Sequence, residues 1–176
     1  QRQMCIRDRY LCFGYTGGPF PLAYLGLGEL FVILFFGLVA VAGSAFVACG
    51  EWLVPASLVL GFQVGMLSST LIAINNLRDR EGDAEVGKRT LAVRLGRGFA
   101  LWEIGVFLLV PYAMNLFWLS EGPAAGWMPW LALPLAVWIC RGVAGSPGGA
   151  GLNRFLALSS LHMLAFAVLW VVGVGR

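Results

Sequence analysis

The stretch VPASLVLGFQVGMLSSTLIAINN, residues 54–76, runs through 23 positions without a single Asp, Glu, Lys or Arg. A helix that crosses the hydrocarbon core of a bilayer needs about 20 mostly apolar residues. We therefore predict that this stretch is a membrane-spanning helix.

Four other stretches have the same character, at about 28–49, 98–118, 127–142 and 155–174. The whole chain is 59% hydrophobic and 12% charged, with a mean hydropathy of +0.81. Soluble domains carry about 25% charged residues, so this chain cannot cover a surface that faces water. The composition predicts an all-α, multi-pass transmembrane helical bundle in a lipid bilayer.

The basic residues are concentrated in two of the predicted loops, the second-to-third and the fourth-to-fifth. They are Arg78, Arg80, Lys88, Arg89, Arg94, Arg97, Arg141 and Arg154. The loops around Glu51 and over residues 120–126 contain no Lys or Arg. Because cytoplasmic loops are enriched in Lys and Arg, we expect the basic loops to face the cytoplasm across the cell's inner (plasma) membrane. The net charge of +3 comes from these clusters and does not indicate a nucleic-acid partner.

The charged segment INNLRDREGDAEVGKRTLAVRLG, residues 74–96, directly follows the span quoted first. Asp79 and Asp83 are four residues apart, and Asn75 is one helical turn earlier. We predict a continuous helix over 75–83 that presents these three side chains to the cavity of the bundle. Neighbouring carboxylates repel each other unless a cation lies between them, and Mg²⁺ prefers oxygen ligands.

Basic side chains follow the acidic ones, with Lys88, Arg89 and Arg94 available for an anion of several charges. A divalent cation, these bases and a surrounding apolar bundle suit a diphosphate ester with a long hydrocarbon tail. Charged residues beside a membrane also serve only to fix topology, and two aspartates at this spacing are a common pattern. From the residues alone both interpretations stay open.

The segment from Asn75 to Gly96 resembles the second aspartate-rich motif of the UbiA superfamily of intramembrane prenyltransferases. The similarity is greatest to the branch that uses 1,4-dihydroxy-2-naphthoate, whose pattern reads NNxRDxxxDxxxGKxTLAVRxG. Every fixed position of this pattern is present here. The segment YTGGPFPLAYLGLGELFVILFFGLVAVAG, residues 15–43, resembles the family's segment before its fifth helix.

The resemblance implies a fold of nine helices with two aspartate-rich motifs that face each other, of which this chain has the last five helices. It implies transfer of a polyprenyl group from polyprenyl diphosphate to 1,4-dihydroxy-2-naphthoate, with decarboxylation, to give demethylmenaquinone for menaquinone biosynthesis. Asp79 and Asp83 would be catalytic and would bind Mg²⁺ with Asn75. The residues that would contact substrate are Asn76, Arg78, Lys88 and Tyr15.

The first aspartate-rich motif, NDxxDxxxD, is not found in the sequence. We therefore expect residues 10–176 to be the C-terminal part of a single prenyltransferase domain, inactive by itself. We expect residues 1–9, QRQMCIRDR, not to belong to the native protein, because they resemble translated adaptor sequence.

Two alternatives remain. In the first, the protein is a UbiA-family prenyltransferase whose acceptor is another aromatic compound, such as homogentisate or a phylloquinone-type ring. In the second, the protein is a cation-coupled membrane transporter. Transporters place such charges near the middle of the bilayer between broken helices, whereas these lie at the end of a span.

Polar residues inside the spans are expected to bond between helices. We predict this for Gln63, Ser68, Ser69 and Thr70, and for a neutral His162. Glu103 is predicted to face the bundle interior or the membrane interface.

Overall fold

The computed structural model describes residues 26–52 and 54–175, and within these ranges it contains helices and no strand. The helices are α1 (Gly28–Cys49), α2 (Pro55–Arg78), α3 (Arg80–Glu85), α4 (Leu91–Glu121), α5 (Ala124–Gly145) and α6 (Gly149–Val174). All except α3 are long and apolar enough to cross a membrane. The predicted all-α class and the five spans are confirmed.

Helix α2 is the centre of the described bundle, because it packs against α1, α4 and α6. Glycines allow α1 to approach closely: a Cβ atom on Gly65 would lie 2.9 Å from Ile33 Cα, and one on Gly37 would collide with the carbonyl oxygen of Gly61. Gly37 lies in a π-helical stretch of α1, Ile33–Val39. Small residues at such contacts are typical of helices that associate in lipid.

Helix α4 has two parts. Thr90 caps its start by accepting a hydrogen bond from Val93 N. Gly96 then interrupts the helix with φ +81°, a conformation that glycine adopts without strain. The remainder contains the predicted third span, 98–118. The break lets the chain turn between the charged segment and the membrane-spanning part of α4.

The apolar core is shared by α2, α4, α5 and α6, and its most buried large side chains include Ile74, Leu108, Ile139 and Phe155. Large apolar side chains also cover the outer surface, for example Phe36, Val47 and Leu131. An outer surface of this kind requires lipid around it, so the chain is an integral membrane protein.

The two basic loops meet at one end of the bundle. Arg97, at the start of the spanning part of α4, donates to the carbonyl oxygens of Ala144 (3.0 Å) and Ser146 (2.6 Å) at the end of α5. Arg78, at the end of α2, donates to Asn153 Oδ1 on α6 (2.9 Å). This end therefore collects the charges that the sequence predicts on one side of the membrane.

Candidate functional site

The last residue of α2, Arg78, forms a two-pronged ion pair with the next residue, Asp79. Nε donates to Oδ1 at 2.7 Å, and Nη2 donates to Oδ2 at 2.6 Å. Paired N–H···O bonds between a guanidinium and a carboxylate are the strongest geometry for such a pair.

The same guanidinium reaches two asparagines. Nη2 also donates to Asn75 Oδ1 at 2.6 Å, and Nη1 donates to Asn153 Oδ1 at 2.9 Å. Arg78 thus links α2 to α6, and its guanidinium binds both Asn75 and Asp79. Each of its three guanidinium nitrogens already donates to a protein acceptor. Its role as a contact for the diphosphate stays a prediction.

A second ion pair follows in the chain, between Lys88 and Asp83. Lys88 Nζ lies 3.2 Å from each carboxylate oxygen of Asp83, and Lys88 N donates to Asp83 O at 2.9 Å. Gly87, with φ +74°, makes the turn that returns Lys88 to Asp83. The Asp83 side chain is only 12% exposed, so this pair is not an ordinary solvated surface charge.

The two ion pairs form one unit, which we call the motif cluster: Asn75, Arg78, Asp79, Asp83 and Lys88. Asp83 N donates to Asp79 O at 2.8 Å and joins the pairs through the backbone. The hydrogen bonds from Arg78, reinforced by the charges of Arg78 and Lys88, lower the pKa of the Asp79 carboxyl against the opposing effect of its burial. Asp79 is therefore ionised at neutral pH.

The predicted continuous helix over 75–83 is wrong in one respect. Helix α2 ends at Arg78, Asp79 has φ −95° and ψ 7°, and α3 begins at Arg80. Adjacent side chains do not face each other on a regular helix. The two-pronged bond between Arg78 and Asp79 therefore fits a break at this position.

Asn76 belongs to a neighbouring, more deeply buried group. Its Nδ2 donates to Glu29 Oε1 on α1 at 2.7 Å, and Ser69 Oγ donates to the backbone oxygen of Glu29 at 3.0 Å. Asn76 is 7% exposed and Glu29 is 3% exposed. Glu29 was not predicted from the sequence, although a single carboxylate in the first turn of an apolar span was a signal for it.

Most of the predicted polar contacts inside the bundle are confirmed. Gln63 bonds to α4, Ser68 to Met163 on α6, and His162 Nε2 lies 2.5 Å from the hydroxyl of Tyr112. Glu103 is buried in the bundle. Thr70 is the exception, because it donates to Met66 O of its own helix.

The donor set suits one half of a Mg²⁺ site. Both aspartates already bind a cationic group, and Mg²⁺ commonly takes one or two carboxylates and completes its shell with water and phosphate oxygens. Among residues 26–52 and 54–175, no three Asp, Glu, His or Cys side chains come together as a metal cluster. Asp79, Asp83 and Asn75 therefore stay a predicted partial site, and Tyr15 lies outside the described residues.

The model of one protein family, the UbiA prenyltransferase family, matches residues 10–146. The chain belongs to this UbiA prenyltransferase family. The match extends from before α1 to the end of α5 and includes the whole motif cluster.

Relatives within the family carry related names. The chain is 36% identical to the 1,4-dihydroxy-2-naphthoate octaprenyltransferase of Escherichia coli (strain K12), over 91% of this chain and 52% of that protein. It is 35% identical to the Mycobacterium leprae (strain TN) protein of that name, over 93% of this chain and 54% of that protein. It is 30% identical to human UbiA prenyltransferase domain-containing protein 1, over 70% of this chain and 36% of that protein.

The chain thus spans about half the length of the 1,4-dihydroxy-2-naphthoate octaprenyltransferases it resembles. No solved structure matches it significantly.

Proposed function

We propose that the full-length protein containing this chain transfers a polyprenyl group from polyprenyl diphosphate to 1,4-dihydroxy-2-naphthoate. The carbon–oxygen bond of the diphosphate ester breaks, and a carbon–carbon bond forms to the ring. CO₂ and diphosphate leave, and the product is the reduced form of demethylmenaquinone. The names of the relatives support this choice of substrates.

One observation carries the proposal: two carboxylate–cation pairs lie together at the end of a bundle with an apolar core. Charged groups at such a position suit an anion whose tail dissolves in the membrane. A bound Mg²⁺ would supply charge that stabilises the departing diphosphate. Asp79 and Asp83 would hold this cation, with an asparagine amide beside them.

Lys88 is the cation of the cluster that is best able to change partners. An ammonium is a point charge on a flexible stem, and Lys88 contacts Asp83 at a long 3.2 Å. If Asp83 held Mg²⁺, the Lys88 ammonium would be free to bind the diphosphate. Arg78, with shorter bonds to three different residues, would stay in place and support Asp79.

The motif cluster would face the cytoplasm across the inner membrane. Its support is the distribution of Lys and Arg among the described loops, because the loops at the opposite end, near Glu51 and residues 120–126, have none. A cysteine-accessibility measurement with a membrane-impermeant thiol reagent tests this orientation, with a single cysteine placed at exposed Glu85 or exposed Glu51.

The test of the reaction uses the full-length protein in membranes with Mg²⁺ and a labelled polyprenyl diphosphate. The aromatic acceptors offered are 1,4-dihydroxy-2-naphthoate, homogentisate and 4-hydroxybenzoate. We expect prenylated product and CO₂ with the naphthoate alone. Product only with another acceptor would overturn the assignment of substrate, and no product with any acceptor would overturn the transferase assignment.

We also propose that the 176-residue chain alone does not catalyse transfer. A diphosphate ester carries about three negative charges, which one pair of aspartates holding about one Mg²⁺ neutralises incompletely. Co-expression with the N-terminal helices of a relative should restore turnover. Robust turnover by the chain alone would show that a single aspartate pair suffices.

A further inference from the structure

The two adjacent asparagines at the end of α2 have opposite hydrogen-bond partners. Asn75 accepts through Oδ1 from the Arg78 guanidinium, whereas Asn76 donates through Nδ2 to the Glu29 carboxylate. An amide has one acceptor end and one donor end, and an ionised carboxylate only accepts. The partner of each asparagine therefore decides which end of its amide remains available.

For Asn76 the available end is the oxygen. Glu29 takes the amino group at 2.7 Å, and no described residue donates a hydrogen bond to Asn76 Oδ1. Although α2 ends at Arg78, Asp79 N still donates to Asn75 O at 3.0 Å, so Asn76 and Asp79 keep the i, i+3 spacing that places two side chains on the same side of a helix. By contrast, Asn75 Oδ1 lies against the Arg78 guanidinium, which repels a second cation at that oxygen, and the neutral amide has no negative charge to offset this repulsion as the Asp79 carboxylate has.

Glu29 carries a free-energy cost in its buried position. It is 3% exposed, and its second oxygen, Oε2, is buried without a hydrogen-bond partner among the described residues. A buried polar atom without a partner costs about 1–3 kcal/mol, and more if it is charged. An apolar side chain of similar size would avoid this cost, so packing alone does not explain a carboxylate here.

The backbone around Glu29 is held firmly, so the carboxylate has a defined position. Ser69 Oγ bonds to Glu29 O. Three residues earlier, Gly26 has φ +73° and lies against the chain that follows the motif cluster, since a Cβ there would be 2.8 Å from Arg89 O. The start of α1 is thus wedged between α2 and the segment that leads into α4.

We propose that Glu29 is a positioning residue that fixes the Asn76 amide, so that Asn76 Oδ1 serves as an oxygen ligand for the cation held by Asp79 and Asp83. Asn76, rather than Asn75, is then the amide ligand. The inference rests on the proposed function only for the identity of the cation and of the diphosphate it accompanies. Residues that orient metal ligands typically change metal affinity about 10- to 100-fold when they are replaced.

The test measures Mn²⁺ binding by electron paramagnetic resonance in the full-length protein, with and without inorganic diphosphate and without prenyl substrate. Glu29→Met removes the acceptor at similar volume and should weaken Mn²⁺ binding about tenfold or more. Glu29→Gln keeps an acceptor oxygen for Asn76 Nδ2 and should bind Mn²⁺ within about twofold of the wild type. Asn76→Ala should match Glu29→Met, and the double variant should be no weaker than either single one.

The matched control is Ser68→Ala. It removes a bond between α2 and Met163 on α6 without touching Glu29 or the Asn76 amide, so Mn²⁺ affinity should not change. Asn75→Ala should weaken Mn²⁺ binding less than Asn76→Ala does.

Three results would overturn the proposal: wild-type Mn²⁺ affinity in Glu29→Met, wild-type affinity in Asn76→Ala, or equal losses in Glu29→Gln and Glu29→Met. The last result would show that the charge of Glu29 is used directly. If Glu29→Met does not fold, the comparison of Asn76→Ala with Asn75→Ala decides. Since no prenyl substrate is present, absence of prenyl transfer would contradict the proposed function and leave this result intact.

Discussion

Two polar regions lie at different heights along α2, about 18 Å apart if measured from Gln63 to Asn75 along the helix. The first is the motif cluster. The second, which we call the Gln63 network, consists of Gln63, Asn115, Trp118 and the carbonyl of Pro111. Gln63 Nε2 donates to Pro111 O (2.9 Å) and Asn115 Oδ1 (2.7 Å), and Trp118 Nε1 donates to Gln63 Oε1 (2.9 Å).

The two regions differ in exposure and in charge. Gln63 and Asn115 are completely buried and neutral, so their partners cannot be replaced by water. In the motif cluster the Asp79 side chain is 40% exposed and the Lys88 side chain 24%, and every side-chain hydrogen bond involves an ion. Polar groups inside lipid must be satisfied by protein, whereas groups at a wet end can exchange one partner for another. The Gln63 network is therefore expected to stabilise the bundle, and the motif cluster to bind ligands.

The largest expected effect is on catalysis. Asp79→Ala or Asp83→Ala in the full-length protein should lower kcat at least about a hundredfold, because each removes an anionic ligand needed as charge develops on the leaving diphosphate. Glu85→Ala, an exposed acid of the same segment, is the control and should keep normal turnover. Near-normal turnover of either aspartate variant at saturating Mg²⁺ would contradict the assignment of ligand binding to the motif cluster.

Lys88→Ala should raise KM for the polyprenyl diphosphate about tenfold and change kcat little. Its ammonium binds the same anion in the ground state and the transition state, and a lost bond to a charged group costs about 1.5–3 kcal/mol. Steady-state kinetics with the full-length protein measure both constants, and Arg89→Ala, whose side chain is exposed, is the control. A fall in kcat at unchanged KM would assign Lys88 to the transition state instead.

In the Gln63 network the expected effect is on stability and not on kinetics. Gln63→Leu should lower the stability of the bundle without a direct effect on the reaction. The change leaves buried Asn115 and Trp118 without partners and should cost about 1–2 kcal/mol of the free energy of unfolding. Unfolding in detergent checks the loss, with Thr70→Val as the control, because Thr70 bonds only to its own helix. Unchanged stability, or a loss of kcat in protein that is still folded, would contradict the structural role.

The smallest effect concerns the pH dependence of the Arg78–Asp79 pair. The folded-state pKa of Asp79 is lowered, so the pair's contribution is present above the ordinary carboxyl range near pH ~4 and is lost as pH falls through the folded pKa. Since Asp79 is partly exposed, we expect less than about 1 kcal/mol. The free energies of unfolding of the wild type and of Asp79→Asn, compared at pH 7 and below pH ~4, measure this contribution. The difference between the two proteins should shrink in acid, and a difference that stays constant would show that the pair does not stabilise the fold.

The sequence predicts the motif cluster better than it predicts its geometry. The order Arg78, Asp79, Asp83, Lys88 is enough to expect opposite charges in contact, because all lie within three helical turns of one another. It does not predict the break at Asp79, where neighbouring Arg78 and Asp79 side chains bond to each other. Nor does it predict Asn153 or Glu29, which are 75 and 47 residues from their partners.

What the sequence alone determines is the environment of each segment: runs of about 20 apolar residues require lipid, and clustered charges require water. These are properties of neighbouring residues, so they can be read along the chain. Which polar groups meet across helices is decided only by the tertiary structure. There, glycines at 37, 61 and 65 bring α1 against α2, and buried donors such as Asn76 Nδ2 find an acceptor on another helix. Glu29 gains its partner Asn76 only in that packing, because the bond exists only where two helices cross.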